Sequence, residues 1–116
     1  MDKAWTMKKG KKDEFIPPFV RFERKMFFES SEWRELTGAE KLLYIYIKAK
    51  YNGSNDGRIK LTYGELKGAK GLSSSRTFAK AQRGLIKKGW ITRSKFGGLY
   101  RYYNLYQLTW KFDSMK

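Results

Sequence analysis

Hydrophobic residues along the chain switch between helical and strand spacing, and the switches fall on caps and turns. Residues 1–14, MDKAWTMKKGKKDE, have no period and are rich in Lys, which predicts a flexible basic tail. The segment FIPPFVRFERKMFF (15–28) starts extended, because Pro17 and Pro18 exclude helix. Phe19 to Phe22 is expected as a short edge strand whose aromatics pack on the domain. SSEWREL (30–36) reads as a short helix capped by Ser30 or Ser31, with Trp33 and Leu36 on one face. Thr37-Gly38-Ala39-Glu40 is a T-x-x-E capping box that opens LLYIYIKAKY as a helix. The box, the length and the following Asn52-Gly53 favour helix over strand there. Leu42, Leu43, Tyr46, Ile47 and Ala49 or Lys50 follow the helical period and are expected to face the core.

NGSNDG (52–57) consists of turn formers, and its spacing does not match a phosphate-binding P-loop. Arg58 to Leu61 reads as a short strand with Ile59 and Leu61 pointing inward. A second box, Thr62-Tyr63-Gly64-Glu65, opens a short helix, YGELKG. Gly68-Ala69-Lys70-Gly71 breaks it, Leu72 returns to the core, and Ser73 to Ser75 offer caps for the next helix. That helix, SSSRTFAKAQRGLIKKG (73–89), ends on a glycine. A short helix, a tight turn and a longer helix make a helix-turn-helix. Trp90 to Lys95 is a strand, Phe96-Gly97-Gly98 a turn, and Leu99 to Trp110 a second strand rich in aromatic residues. The sum is one α+β domain over residues 15–110: a three-helix core plus a short helix and a small antiparallel sheet with a hairpin wing. Residues 111–116 form a short C-terminal tail.

The long helix is two-faced. Arg76, Lys80, Arg83 and Lys87 lie within a stripe roughly 60° wide, and Phe78, Ala81 and Leu85 lie opposite. No Asp or Glu is interleaved, as would be expected of an ordinary solvated helix face. One face is suited to packing and the other to negative charge.

Charge distribution extends that reading. The net charge is +15, from 26 Lys and Arg against 11 Asp and Glu. Residues 66–112 contain eleven Lys and Arg and no acid. A field this one-sided attracts a polyanion. The chain has no Cys and no His, so disulfides and Cys/His zinc sites are excluded. It has no apolar run of ~18 residues that would span a membrane, and its start lacks a signal-peptide core. A cytoplasmic protein is expected. The acids are scattered singly, and Glu40 and Glu65 are accounted for by capping, so neither an enzyme nor a cofactor is expected.

The stretch SSSRTFAKAQRGLIKKGWI resembles the pattern of winged-helix DNA-binding domains through Thr77, Phe78, Ala81, Leu85, Lys88, Gly89 and Ile91. FVRFERKMFFESSEWREL, TGAEKLLYIYIKAKYNG and GRIKLTYGEL look like the N-terminal winged-helix domain of plasmid, phage and bacterial replication initiators. At 116 residues a single domain is expected, without the second domain of typical initiators. The resemblance implies a recognition helix in the major groove, with its N-terminal part facing base edges. Ser74, Ser75, Arg76, Ala79 and Lys80 occupy that part, and Arg76 is the candidate for a bidentate guanine contact. Lys80 and Arg83 reach bases or phosphates, whereas Lys87 and Lys88 are expected on phosphate. Lys67 and Lys70 would clamp the backbone before the turn. In the wing, Arg93, Lys95 and Arg101 flank Gly97 and Gly98, which permit close approach to phosphate or the minor groove. The partner expected is double-stranded DNA, in replication initiation or transcription regulation, with a nucleoid-associated location. A second copy of the chain or other replication or transcription proteins would be further partners. Two rival readings remain: single-strand or RNA binding through a KH-like GxxG at Gly68 to Gly71, with Phe96, Tyr100, Tyr102 and Tyr103 stacking on bases, and a winged helix used for protein contacts.

Overall fold

The computed structural model describes residues 18–66, 68–95 and 104–113. The expected basic tail (1–14), the turn at Phe96-Gly97-Gly98 and the residues Lys67 and Arg101 lie outside them. The described fold is α+β. Helices α1 (Arg24–Glu29), α2 (Ser31–Arg34) and α3 (Gly38–Lys50) come first, followed by strand β1 (Ile59–Leu61). A 3-10 helix (Tyr63–Leu66), α4 (Ser75–Lys87), β2 (Ile91–Lys95) and β3 (Asn104–Leu108) complete it. The three strands form one antiparallel sheet in the order β1-β3-β2. Tyr106 of β3 stands opposite Ile59 on one side and Arg93 on the other.

Local signals set most boundaries. Ser30 caps α2 by accepting from the Trp33 amide at 3.1 Å. Both halves of the Thr37/Glu40 capping box form: the Glu40 amide donates to Thr37 Oγ1 (3.1 Å) and the Thr37 amide to Glu40 Oε1 (3.0 Å). The Thr62/Glu65 box forms as well, but it opens a single 3-10 turn rather than an α-helix. Gly71, at φ +94°, then turns the chain so that Leu72 enters the core fully buried.

Three expectations need correction. Phe19 to Phe22 is not a strand. The Arg21 carbonyl accepts from Lys48 Nζ instead of a neighbouring strand, and the Phe22 ring packs 5.3 Å from Phe27 and 6.4 Å from Tyr44. Residues 24–29 are helical although Glu23 makes no side-chain cap bond, so no sequence signal marked the start of α1. The buried face of α3 is also rotated from the one expected: Leu43, Tyr44, Ile47 and Lys48 are buried, Tyr46 is half-buried, and Ala49 and Lys50 are exposed.

Lys48 is buried because charge and hydrogen-bonding partners meet it. Its Nζ lies 2.7 Å from Asp113 Oδ2, which also accepts from Tyr44 OH at 2.8 Å. The ammonium lies over the Phe22 ring, 4.4 Å from its centroid. Burial lowers the Lys48 pKa while Asp113 opposes the shift, and burial with the adjacent Asp113 carboxylate pushes the Tyr44 phenol well up. Residues 111–116 were expected as a tail, yet Asp113 is 1% exposed and the Phe112 ring stacks 4.9 Å from Trp90. Around this pair, Trp33, Tyr44 and Trp90 form an edge-to-face aromatic cluster with centroids 5.1–6.2 Å apart.

Candidate nucleic-acid interface

Helix α4 begins where its sequence permits. Of the three serines offered, Ser74 is the cap, accepting from the Thr77 amide at 3.1 Å and donating to Thr77 Oγ1 at 2.9 Å. The helix runs to Lys87, and Gly89 leaves it at φ +87°. Phe78, Ala81, Gln82 and Leu85 form its buried face. The first three apolar positions match the expected packing face, and Gln82 joins them because its Oε1 accepts from Tyr106 OH in β3. The entry is tied down twice more: Tyr63 OH donates to the Ser73 carbonyl at 2.7 Å, and the Tyr63 ring meets Phe78 edge-on at 5.9 Å.

The opposite face of α4 is basic. Ser74, Ser75, Arg76, Lys80, Arg83 and Lys87 are all exposed, and Ala79 is half-buried. Among the described residues no carboxylate pairs with Arg76, Lys80, Arg83 or Lys87. Lys70 is exposed in the turn before α4. Arg76 to Lys87 spans eleven residues of rise, ~16 Å at the α-helical pitch. A rigid rod of that length bearing four cations matches a groove walled by phosphates.

Two cations expected at this interface have other environments. Lys88 lies one residue beyond Lys87 and is also exposed, yet it folds back onto the scaffold: its Nζ donates to Glu40 Oε1 at 2.7 Å and to the Glu35 carbonyl at 3.1 Å. It is a tether to the scaffold and not a phosphate contact. A single step along a helix rotates the side chain by about 100°, which is enough to separate these neighbours. Arg93 was expected in the wing, flanking the glycine turn. It is half-buried, opposite Tyr106 in the sheet, with its Nε sealed from solvent, and a bulge follows it between Arg93 and Lys95. Lys95 ends β2. Lys67, Gly97, Gly98 and Arg101 lie outside the described residues, as do Phe96, Tyr100, Tyr102 and Tyr103.

Gly84 is a residue the sequence reading passed over. A Cβ there would overlap the carboxylate of Glu40. An isolated glycine inside an amphipathic helix was the available signal, since Gly costs ~1 kcal/mol relative to Ala in a helix unless packing requires it. Lys48 and Asp113 were also missed as a pair, because nothing local links two residues this far apart. Among the described residues there is no group of His, Cys, Asp or Glu able to hold a metal ion, and no helix long and apolar enough to cross a membrane. Neither a family model, nor a curated protein, nor a solved structure matches the chain.

Proposed function

We propose that this protein binds double-stranded DNA in a sequence-directed manner, with α4 lying in the major groove. The observation that carries the proposal is the division of α4 into a packed face and an exposed face whose cations meet no carboxylate among the described residues. The strand order β1-β3-β2 and the position of α4 directly before the β2–β3 hairpin support a winged-helix reading. Arg76 and Lys80, with Ser74 and Ser75, are the base-reading group near the N-terminal end. Arg83 and Lys87 sit further along, over the backbone, and Lys70 adds a phosphate contact from the turn. The resemblance to replication-initiator domains directs the role to an origin or operator site. A nucleoid-associated location follows from duplex binding.

Competition of duplex DNA, single-stranded DNA and RNA for the purified chain tests the proposal. Duplex is expected to win, and its affinity to fall by ~0.9 log unit per log unit of salt for each phosphate neutralised. Preference for RNA or single strands would instead favour the GxxG turn at Gly68 to Gly71 as the binding element.

A further inference from the structure

Beside the apolar core that α3 and α4 share, one carboxylate bridges the two helices. Glu40 is 6% exposed overall and sits in the first turn of α3. Its Oε1 accepts both the Thr37 amide, at 3.0 Å, and Lys88 Nζ, at 2.7 Å. The rest of the carboxylate occupies the space that a side chain at position 84 would need. Gly84 and Lys88 are four residues apart and so share one face of α4. The same carboxylate therefore closes the start of α3, fills a notch in α4 and neutralises the cation at the end of α4. Arg83 or Leu85 brought into the notch by a one-residue slip would collide with it. We propose that Glu40, Gly84 and Lys88 are positioning residues that fix the pose of α4, and through it the placement of Arg76 on base edges. This rests on the duplex-binding reading above.

Leverage makes the pose matter. Arg76 lies eight residues from Gly84, ~12 Å along the axis at 1.5 Å per residue. A tilt of about 10° at the notch moves Arg76 by about 2 Å over that distance. Side-chain hydrogen bonds to bases tolerate far less than this, whereas long Lys and Arg side chains follow a displaced phosphate. Disturbing the notch should therefore cost sequence discrimination more than it costs general affinity.

Two measurements test this. The first compares binding to a duplex selected from a random 20-base-pair pool with binding to the unselected pool. Gly84→Ala is expected to cut the affinity ratio about tenfold, with pool affinity and salt slope changed less than about twofold. Lys88→Ala, which frees the end of α4 from Glu40 without adding bulk to the notch, is expected to lower the ratio in the same direction, again with pool affinity changed little. An unchanged ratio in a folded Gly84→Ala protein overturns the proposal. If that variant does not fold, Lys88→Ala decides, and an unchanged ratio in a folded Lys88→Ala protein overturns it. The second measurement needs no DNA. The chain has no Cys, so spin labels at Ser75→Cys and Lys50→Cys report the separation of the two helix ends. Gly84→Ala is expected to shift that distance by about 2 Å, following the helical lever arm. An unmoved distance defeats the positioning role whatever the ligand. A wild-type chain with no duplex affinity defeats the functional reading alone.

Discussion

Two groups of cations divide the molecule. Lys48, buried, and Lys88, folded back onto the scaffold from an exposed position, each meet a carboxylate at 2.7 Å. Arg76, Lys80, Arg83 and Lys87 face outward, and among the described residues no carboxylate meets them. The groups differ in what burial demands. A cation removed from water must be paired and hydrogen-bonded, so Asp113 accompanies Lys48 into the interior, whereas Glu40, itself buried, draws the exposed Lys88 back onto the scaffold. A cation left at the surface has no such requirement, and the absence of acids from 66 to 112 keeps the outward face of α4 available to a polyanion. Total charge therefore overstates the unpaired basic surface, and the location of the acids defines it.

Several substitutions would break or sharpen this division. The largest effect is expected from Asp113→Ala, which strands the Lys48 ammonium and lets Tyr44 OH lose its acceptor. Breaking a buried pair by removing one partner costs about 3–5 kcal/mol, so urea denaturation should show a loss of that size. A loss below ~1 kcal/mol would mean that water reaches the pair freely. Next comes Arg76→Ala, expected to cost ~1–3 kcal/mol of discrimination between a selected and a random duplex. Its melting temperature should stay at the wild-type value, and a drop in stability would place Arg76 with the structural cations.

The adjacent pair Lys87 and Lys88 gives the sharpest contrast. Lys88→Ala leaves Glu40 without its ammonium partner and should cost about 1–2 kcal/mol of stability with little change in the salt slope of binding. Lys87→Ala should do the reverse, lowering the slope by ~0.9 and leaving stability alone. Equal behaviour of the two would erase the distinction between the tethered and the outward cation.

The smallest effect is alkaline. The Tyr44 phenol is raised from its ordinary 10.0 by burial first and by Asp113 second. Above pH 10 the unfolded chain loses that proton and the folded chain keeps it. Unfolding then releases a proton, and stability falls as pH rises, by ~1.36 kcal/mol per pH unit for one proton. Below pH 10 both states hold the proton, so this contribution is constant. Tyr44→Phe should flatten the alkaline slope by about one proton in denaturation series between pH 9.5 and 11. An unaltered slope would show that Tyr44 is not sealed.

Legibility from the sequence followed range. The caps at Ser30 and Ser74, the reciprocal boxes at Thr37/Glu40 and Thr62/Glu65, and the exit at Gly89 were all readable. So were the Ile59/Leu61 strand and the stripe on α4. Each depends on residues within four positions of one another, where backbone geometry alone fixes who meets whom. The start of α1 was not readable, because its stability comes from Met26 and Phe27 packing on the domain rather than from a cap. The rotation of α3 that buries Lys48 was missed for a related reason: periodicity favours apolar Ala49 or Tyr46, and only a distant carboxylate makes a buried lysine tolerable.

By itself, then, the sequence determined the elements that carry their own caps and turns, and the acid-free basic face of α4. Tertiary structure alone decided which cations belong to that face. Lys48 meets Asp113 across 65 residues, and Lys88 meets Glu40 across 48. No local pattern encodes a partner at that distance. Folding brings the carboxylates in: the cost of burying charge ties Lys48 to Asp113, and the buried Glu40 draws Lys88 back onto the scaffold.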